Sequence, residues 1–328
     1  MAVIDREQLL AVIAEARRAP SACNEQPARW RLQGDVVELL EDPSRRMPAC
    51  DPSGRALRLA LGAAWEGTRI ALSARGLRFD REVLAAVPDE HGVVARGRVV
   101  DGGMRDLLSD VVMHRATWRG PLSPVPSHVL GDLAADLEPL GAVLIQNPEI
   151  LAEAARVIDD ATVAQALRPS AIEELTSWLR LSLDHPGWSR DGLNADALLL
   201  SPWAAWLRRR LLRRGVLSRL QAAGQGHRVF GDAARVLTAS GMVALLARTD
   251  EMEVLTGARL YRSWLTVQSA GLCACPMGAL TEDPALVTSF SKALGLPSGW
   301  RLVHLWRVGL APGPVPLAAR LPAEELLL

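Results

Sequence analysis

The 328-residue sequence predicts an α+β fold built from two related halves, and three observations carry that expectation. Segments with helical spacing and short apolar strands are interleaved along the chain. They lack the regular strand–helix–strand beat of a parallel sheet, so a mixed sheet flanked by helices fits best. Two long helices rich in small residues recur, one ending Ala74-Arg75-Gly76-Leu77 and the other Ser269-Ala270-Gly271-Leu272. Hydrophobic residues make up 49% and charged residues 23%, the balance of a chain that packs a core.

The elements follow in order. Asp5 to Arg18 reads as a helix, with Leu9, Leu10, Val12, Ile13 and Ala16 on a broad face, Asp5 as its cap and Pro20-Ser21 as its stop. Trp30–Leu32 and Val36–Leu40 read as a hairpin around Gln33-Gly34-Asp35. Leu57 to Arg75 is a long helix whose Ala60, Gly62, Ala63, Ala64 and Gly67 permit close packing, and Gly76 ends it. Leu77-Arg78-Phe79-Asp80 is expected as an irregular loop. Val93–Val100 and Ala142–Gln146 are strands, and His128–Leu140 and Ile150–Ala166 are helices. Beyond Pro169 the pattern loosens, Pro186–Asn194 is loop-like, and Trp203–Leu217 is a short basic helix. Met242–Arg248 is a strand, Glu251–Ala270 the second long helix, and Leu302–Val308 the last strand before a Pro-rich tail.

Composition narrows the function. Lys+Arg and Asp+Glu are both 37, which disfavours a general polyanion binder. Lys292 is the only lysine, so the positive charge is almost wholly arginine. No apolar run reaches the ~20 residues needed to cross a bilayer, and no signal peptide opens the chain. Four cysteines are not a disulfide framework in a chain of this length. A cytoplasmic protein is the resulting expectation. The helix bearing Trp203, Trp206, Arg208, Arg209, Arg210, Arg213 and Arg214 invites a nucleic-acid or membrane-surface reading. Its charges wrap the helix, so a solvated lid or insertion is the better expectation, with neither nucleic acid nor membrane as partner.

Four stretches could carry chemistry. Pro20-Ser21-Ala22-Cys23-Asn24-Glu25-Gln26-Pro27 concentrates hydroxyl, amide and backbone donors in one turn, suited to the polar edge of a planar heterocycle. In Arg115-Ala116-Thr117-Trp118-Arg119, extended alternation puts two guanidinium forks and a hydroxyl on one face, suited to a phosphate. Gly271-Leu272 followed by Pro276-Met277-Gly278-Ala279 offers backbone that can approach a ligand closely. Arg320 lies in the tail segment Arg320-Leu321-Pro322. As bare patterns each also fits a bland role: turn punctuation, a solvated edge, a helix-to-strand loop, a surface arginine. Cys273 and Cys275 find no second close pair or nearby His, so no metal site is expected. Gly-x-Ser-x-Gly, His-Glu-x-x-His, the P-loop and a Gly-x-Gly-x-x-Gly helix opening are all absent.

Taken in order, the four stretches resemble the nitroreductase family of FMN-dependent oxidoreductases, and most closely its Acg-like tandem-domain branch. Pro20-Ser21-x-x-Asn24-x-Gln26-Pro27 resembles the family's flavin-contacting turn. Arg115-x-Thr117-x-Arg119 is similar to its Arg-x-Ser-x-Arg/Lys signature, which holds the flavin phosphate and ribityl chain. Pro276, Met277, Gly278 and Ala279 look like the loop that faces the isoalloxazine, and Arg320 like the C-terminal phosphate arginine. In ordinary members the Arg-x-Ser-x-Arg segment opens the chain and two subunits share each flavin. Here it follows the turn by about ninety residues, which the resemblance explains as a fused pseudo-dimer. It implies a degenerate first half over 1–105, which supplies Ser21, Asn24 and Gln26. A second half over 106–328 supplies the rest, with a lid-like insertion over about 168–230. No mirror-image motif set is present, so one FMN per chain is implied. Ala28 stands where the family often has Trp, and Ala318 where a second basic residue can accompany the terminal arginine.

The function implied is hydride transfer through FMN between a donor such as NAD(P)H and a small organic molecule of nitro, quinone or natural-product type. A dehydrogenase running in the opposite sense is equally permitted. The alternative is a lid-closed FMN-binding protein without turnover. No side chain is expected to be catalytic, and the chain is expected to be a monomeric pseudo-dimer or a homodimer.

Overall fold

The computed structural model describes residues 3–212, 231 and 233–328. Helix α1 (Arg6–Ala16) starts on a reciprocal cap: the Gln8 amide donates to Asp5 Oδ1 at 2.8 Å and the Asp5 amide to Gln8 Oε1 at 3.0 Å. The turn of residues 17–27 leads into the hairpin β1 (Ala28–Gln33) and β2 (Val36–Glu41), registered with Gln33 opposite Val36. Then come α2 (Arg55–Ser73), β3 (Leu77–Leu84) and β4 (Val93–Asp101). The four strands form a sheet in the order β1-β2-β4-β3, antiparallel at every step.

The pattern then repeats. Helix α3 (Ser127–Leu137) and β5 (Ala142–Ile145) precede an inserted stretch: α4 (Pro148–Leu167), α5 (Pro169–Ser177), the short parallel pair β6 (Leu179–Arg180) and β7 (Leu193–Asn194), α6 (Pro202–Leu211) and α7 (Ala233–Val236). After it come β8 (Gly241–Arg248), α8 (Glu253–Ser269), β9 (Cys273–Pro276), α9 (Gly278–Glu282), α10 (Pro284–Ala293) and β10 (Trp300–Gly309). The second sheet runs β5-β8-β10-β9, the same order as the first once the insertion is set aside. Isolated parallel bridges, Trp30 with Leu327 and Thr117 with Ala274, add parallel pairing beside these ladders.

Helices α2 and α8 cross at the centre, and their glycines explain how. Gly62 and Gly257 each lie 14 residues before the positive-φ glycine that follows their helix, Gly76 or Gly271. A Cβ on Gly62 would fall 2.0 Å from the Val254 carbonyl oxygen, and one on Gly257 would fall 2.2 Å from that of Leu59. Each glycine therefore lies against the backbone of the other helix, a reciprocal contact about a pseudo-twofold axis. The cores interlock to match. Val254, Tyr261 and Leu265 of α8 pack with the first sheet and α1, while Leu59 of α2 packs with the second sheet and α3.

Two expectations need correction. Leu77–Asp80 is not a loop but the start of edge strand β3: its four residues alternate apolar and charged, but the run is short and Asp80-Arg81-Glu82 breaks it. Only Leu77 is buried, and the half-buried Phe79 stacks on Trp65 at 4.5 Å. The segment after Gly271 likewise begins as strand β9 before the bend at Pro276. The basic helix is described only to Leu211, so Leu217, Arg213, Arg214, His227 and much of the expected 168–230 lid lie outside the described residues. Among the described residues no helix is long and apolar enough to cross a membrane, and no group of His, Cys, Asp and Glu is arranged to hold a metal.

Candidate functional site

The turn after α1 is backbone-strained. Cys23 (φ 47°), Asn24 (φ 60°) and Gln26 (φ 54°) all sit in the left-handed region that non-glycine residues seldom adopt. The Ser21 hydroxyl oxygen accepts from the Gln26 amide at 3.0 Å and helps hold the turn. Buried Asn24 and Gln26 then bind the chain's tail. Asn24 Nδ2 donates to the Ala319 carbonyl at 2.9 Å, and the Leu321 amide donates to Gln26 Oε1 at 2.9 Å.

Arg320 is the hub of this packing. Its Nε donates to the Arg17 carbonyl at 2.6 Å, its Nη1 to Asn24 Oδ1 at 2.6 Å, and its Nη2 to the Arg18 carbonyl at 3.1 Å. It thus binds the carbonyls just past the C-terminal end of α1, a favourable place for a cation. Arg115 arrives from the other side. Its Nε also donates to the Arg18 carbonyl, at 2.8 Å, while its guanidinium lies 5.0 Å above the Trp264 ring.

Arg18, Arg115 and Arg320 are all at most 9% exposed, and among the described residues none of them is ion-paired to a carboxylate. Burial lowers all three guanidinium pKa values, Arg115 to about 10, and the neighbouring cations add to the effect on Arg115 and Arg320. Tyr261, the chain's only tyrosine, stands beside them and is pushed up to about 12 by burial. Its hydroxyl has no hydrogen-bond partner, and neither have Nε and Nη2 of Arg18. Buried cations without a counter-anion are costly, so their clustering points to an anionic ligand.

The other predicted residues lie along the crossing segment. Thr117 bridges to Ala274 of β9, and Arg119 Nη1 donates to the Ala197 carbonyl at 3.0 Å. Pro276, Met277, Gly278 and Ala279 follow at the end of β9. The Met277 amide donates to the Leu305 carbonyl at 2.8 Å, and its side chain packs in one cluster with Leu280 and Phe290. The structure therefore brings together Ser21, Asn24, Gln26, Arg115 and Arg320, and Thr117 bridges to Ala274 on the strand that leads into the 276–279 stretch.

The segment between β6 and β7 sits on the turn. Asn24 Nδ2 donates to the Gly192 carbonyl at 3.1 Å and Gln26 Nε2 to that of Arg190 at 2.9 Å. Asp191 pairs with Arg180 at 2.8 Å and Arg45 at 3.2 Å, and both arginines face the Trp178 ring. The cavity beside Ser21, Gln26 and Trp30 has about 20 Å³, room for a single water.

Sequence reasoning missed Arg18 and Tyr261. Arg18 reads only as the end of the first helix, and Tyr261 lies unremarked in the second long helix. Only the sole tyrosine's place opposite the Arg17-Arg18 pair could have flagged them, and that needs the fold.

No protein-family model matches the chain. It is 26% identical over 342 residues to "Putative NAD(P)H nitroreductase acg" of Mycobacterium tuberculosis (strain ATCC 25618 / H37Rv), covering 99% of this chain and 96% of that protein. It is 30% identical over 187 residues to "Putative NAD(P)H nitroreductase Rv3131" of the same organism, covering 53% of this chain. That second match spans about half the relative's length, 52%. Among solved structures, an FMN-dependent nitroreductase NfnB from Mycobacterium smegmatis in complex with NADPH aligns at TM-score 0.35 and 15% identity. That alignment covers 64% of this chain and 94% of the other. A nitroreductase with bound FMN from Bacteroides fragilis aligns at TM-score 0.37 and 13% identity, over 64% and 92%. By its sequence relatives the chain resembles the nitroreductase family. The match along nearly the whole chain is to an Acg-like member of that family.

Proposed function

We propose that the chain is an FMN-dependent oxidoreductase that uses NAD(P)H and a small organic molecule, acting in the cytoplasm with one flavin per chain. The observation that carries the reading is the buried arginine cluster around Tyr261, which has no carboxylate and has donors to spare. FMN, when bound, supplies a reversible hydride acceptor, while the protein supplies binding, orientation and electrostatics. Arg115, Thr117 and Arg119 would hold the phosphate and ribityl chain, with Arg320 fixing Asn24 beside them. Ser21, Asn24 and Gln26 would offer polar contacts from the turn, and the backbone of Pro276, Met277, Gly278 and Ala279 would face the ring. Residues 1–105 and 106–328 would act as the two halves of an intramolecular pseudo-dimer. Whether it reduces or dehydrogenates its substrate follows from the redox partner rather than from any side chain.

A second reading stays open on one observation: Asn24 and Gln26 are tied to Gly192 and Arg190. If the insertion stays down, the chain binds FMN without turnover. The visible spectrum of the purified protein, with the released chromophore identified, is the test. Flavin bands and about one FMN per chain support the reading. A colourless protein that takes up no added FMN overturns it. Bleaching by NAD(P)H followed by recovery with a nitroaromatic or quinone separates turnover from storage.

A further inference from the structure

Arg18 belongs to none of the motifs that mark the site, yet it has the least satisfied guanidinium there. It is 7% exposed. Its Nη1 reaches the Ala318 carbonyl at 3.5 Å, while Nε and Nη2 have no partner. Those two nitrogens form one edge of the guanidinium fork, the edge whose parallel N–H bonds match two oxygens of a phosphate or carboxylate. Arg320 differs: each of its three nitrogens already donates to Asn24 or to backbone carbonyls. Tyr261 adds an idle hydroxyl on the same cluster, from the centre of α8. Ala318 leaves the adjoining tail position without a cation of its own, and Arg18 reaches it from the turn after α1.

We propose that Arg18 is the direct fork for the cofactor's phosphate, with the Tyr261 hydroxyl as a second donor and Arg320 as the positioning residue. The proposal rests on the flavin reading above, and its test separates the two. Flavin-free full-length protein is titrated with FMN and with riboflavin, which lacks the phosphate, following flavin fluorescence. Wild type is expected to prefer FMN. Arg18→Met should weaken FMN binding by about 10- to 100-fold and leave riboflavin binding unchanged. Arg18→Lys should recover part of the preference, and Tyr261→Phe should lose about 3- to 10-fold toward FMN alone.

If Arg18→Met keeps the wild-type preference, the proposal falls and the flavin reading stands. If wild type binds neither flavin, but inorganic phosphate raises its melting temperature and Arg18→Met abolishes that rise, the flavin reading falls and Arg18 remains an anion ligand. If neither flavin nor phosphate acts on wild type, both fall. Should Arg18→Met fail to fold, Arg18→Lys and Tyr261→Phe decide on the same titrations.

Discussion

Tyr261 and Glu66 occupy matching positions on the two crossing helices, each ten residues before the glycine that follows its helix. Their surroundings are opposite. Around Glu66 every cation is answered: Arg262 bonds Glu66 at 2.8 Å and Asp106 at 2.6 Å, and Arg69 bonds Glu66 at 2.9 Å and Glu82 through a bidentate fork. Around Tyr261 three buried arginines meet no carboxylate, and two nitrogens and a hydroxyl stand idle. The approach to each differs as well. Eleven residues, 17–27, join α1 to β1, whereas only four, 138–141, join α3 to β5. One region has been closed into a structural ion-pair network, and the other keeps the polar turn and the open valences that a ligand requires.

The largest effect should come from the frame both regions share. Gly62→Val and Gly257→Val each force a side chain onto backbone with no room to yield, and each should cost about 3 kcal/mol, read by chemical denaturation. Because the two contacts are reciprocal, the losses should agree within about 1 kcal/mol and the double variant should lose less than their sum. Losses that differ widely would break the symmetry on which the comparison stands.

Next comes a pair of opposite signs. Glu66→Gln removes a buried carboxylate from two guanidinium partners that are 31% and 32% exposed, and should cost about 2 kcal/mol. Arg18→Met removes a buried charge that meets no carboxylate and only one long backbone contact, so the flavin-free chain should hold its stability or gain about 1 kcal/mol. Loss of stability in both would mean that the Tyr261 region is as structural as its counterpart.

That contrast shows what the sequence could and could not reveal. The helices were legible from apolar spacing, the Asp5 cap and Gly76 and Gly271. The repeat was legible from two helix endings. The site turn was legible because Ser21, Asn24 and Gln26 are unusual company. Strand β3 was hidden because its apolar alternation, Leu77 and Phe79, ends after four residues in the exposed run Asp80-Arg81-Glu82. The positive φ angles at Cys23, Asn24 and Gln26 are imposed by the tail and insertion packing on them, contacts far away in sequence. Whether an arginine is paired is a property of the fold alone. Glu66 meets Arg262 across 196 residues, and nothing local distinguishes Arg18 from Arg262.

The cationic side extends further as a column: Arg115 over Trp264, Trp264 against Trp306 at 5.9 Å, and His304 stacked on Trp306 at 4.5 Å. Burial drives the His304 imidazole down to about 3, and the nearby Arg55 adds to the shift. The folded chain therefore keeps His304 neutral where an unfolded chain would protonate it below about 6.5. Stability should fall as pH drops from about 6.5 toward 3. His304→Phe, which keeps the stack on Trp306, should flatten that decline, seen by comparing denaturation midpoints at pH 6.5 and 4.5. An unchanged slope would assign the acid sensitivity to other groups.

The smallest effect is the sharpest on Tyr261 itself. Tyr261→Phe deletes a buried hydroxyl that bonds nothing in the flavin-free chain, so its stability should stay within about 0.5 kcal/mol of wild type or rise slightly. A buried hydroxyl that was satisfied would instead cost about 1 kcal/mol to remove. The outcome can be read from melting curves with and without FMN. If Tyr261 is idle until a phosphate arrives, wild type and variant should melt together when empty and separate when loaded, wild type higher. Separation already present in the empty chain would make the hydroxyl part of the scaffold, and the two matching positions would then differ in chemistry but not in purpose.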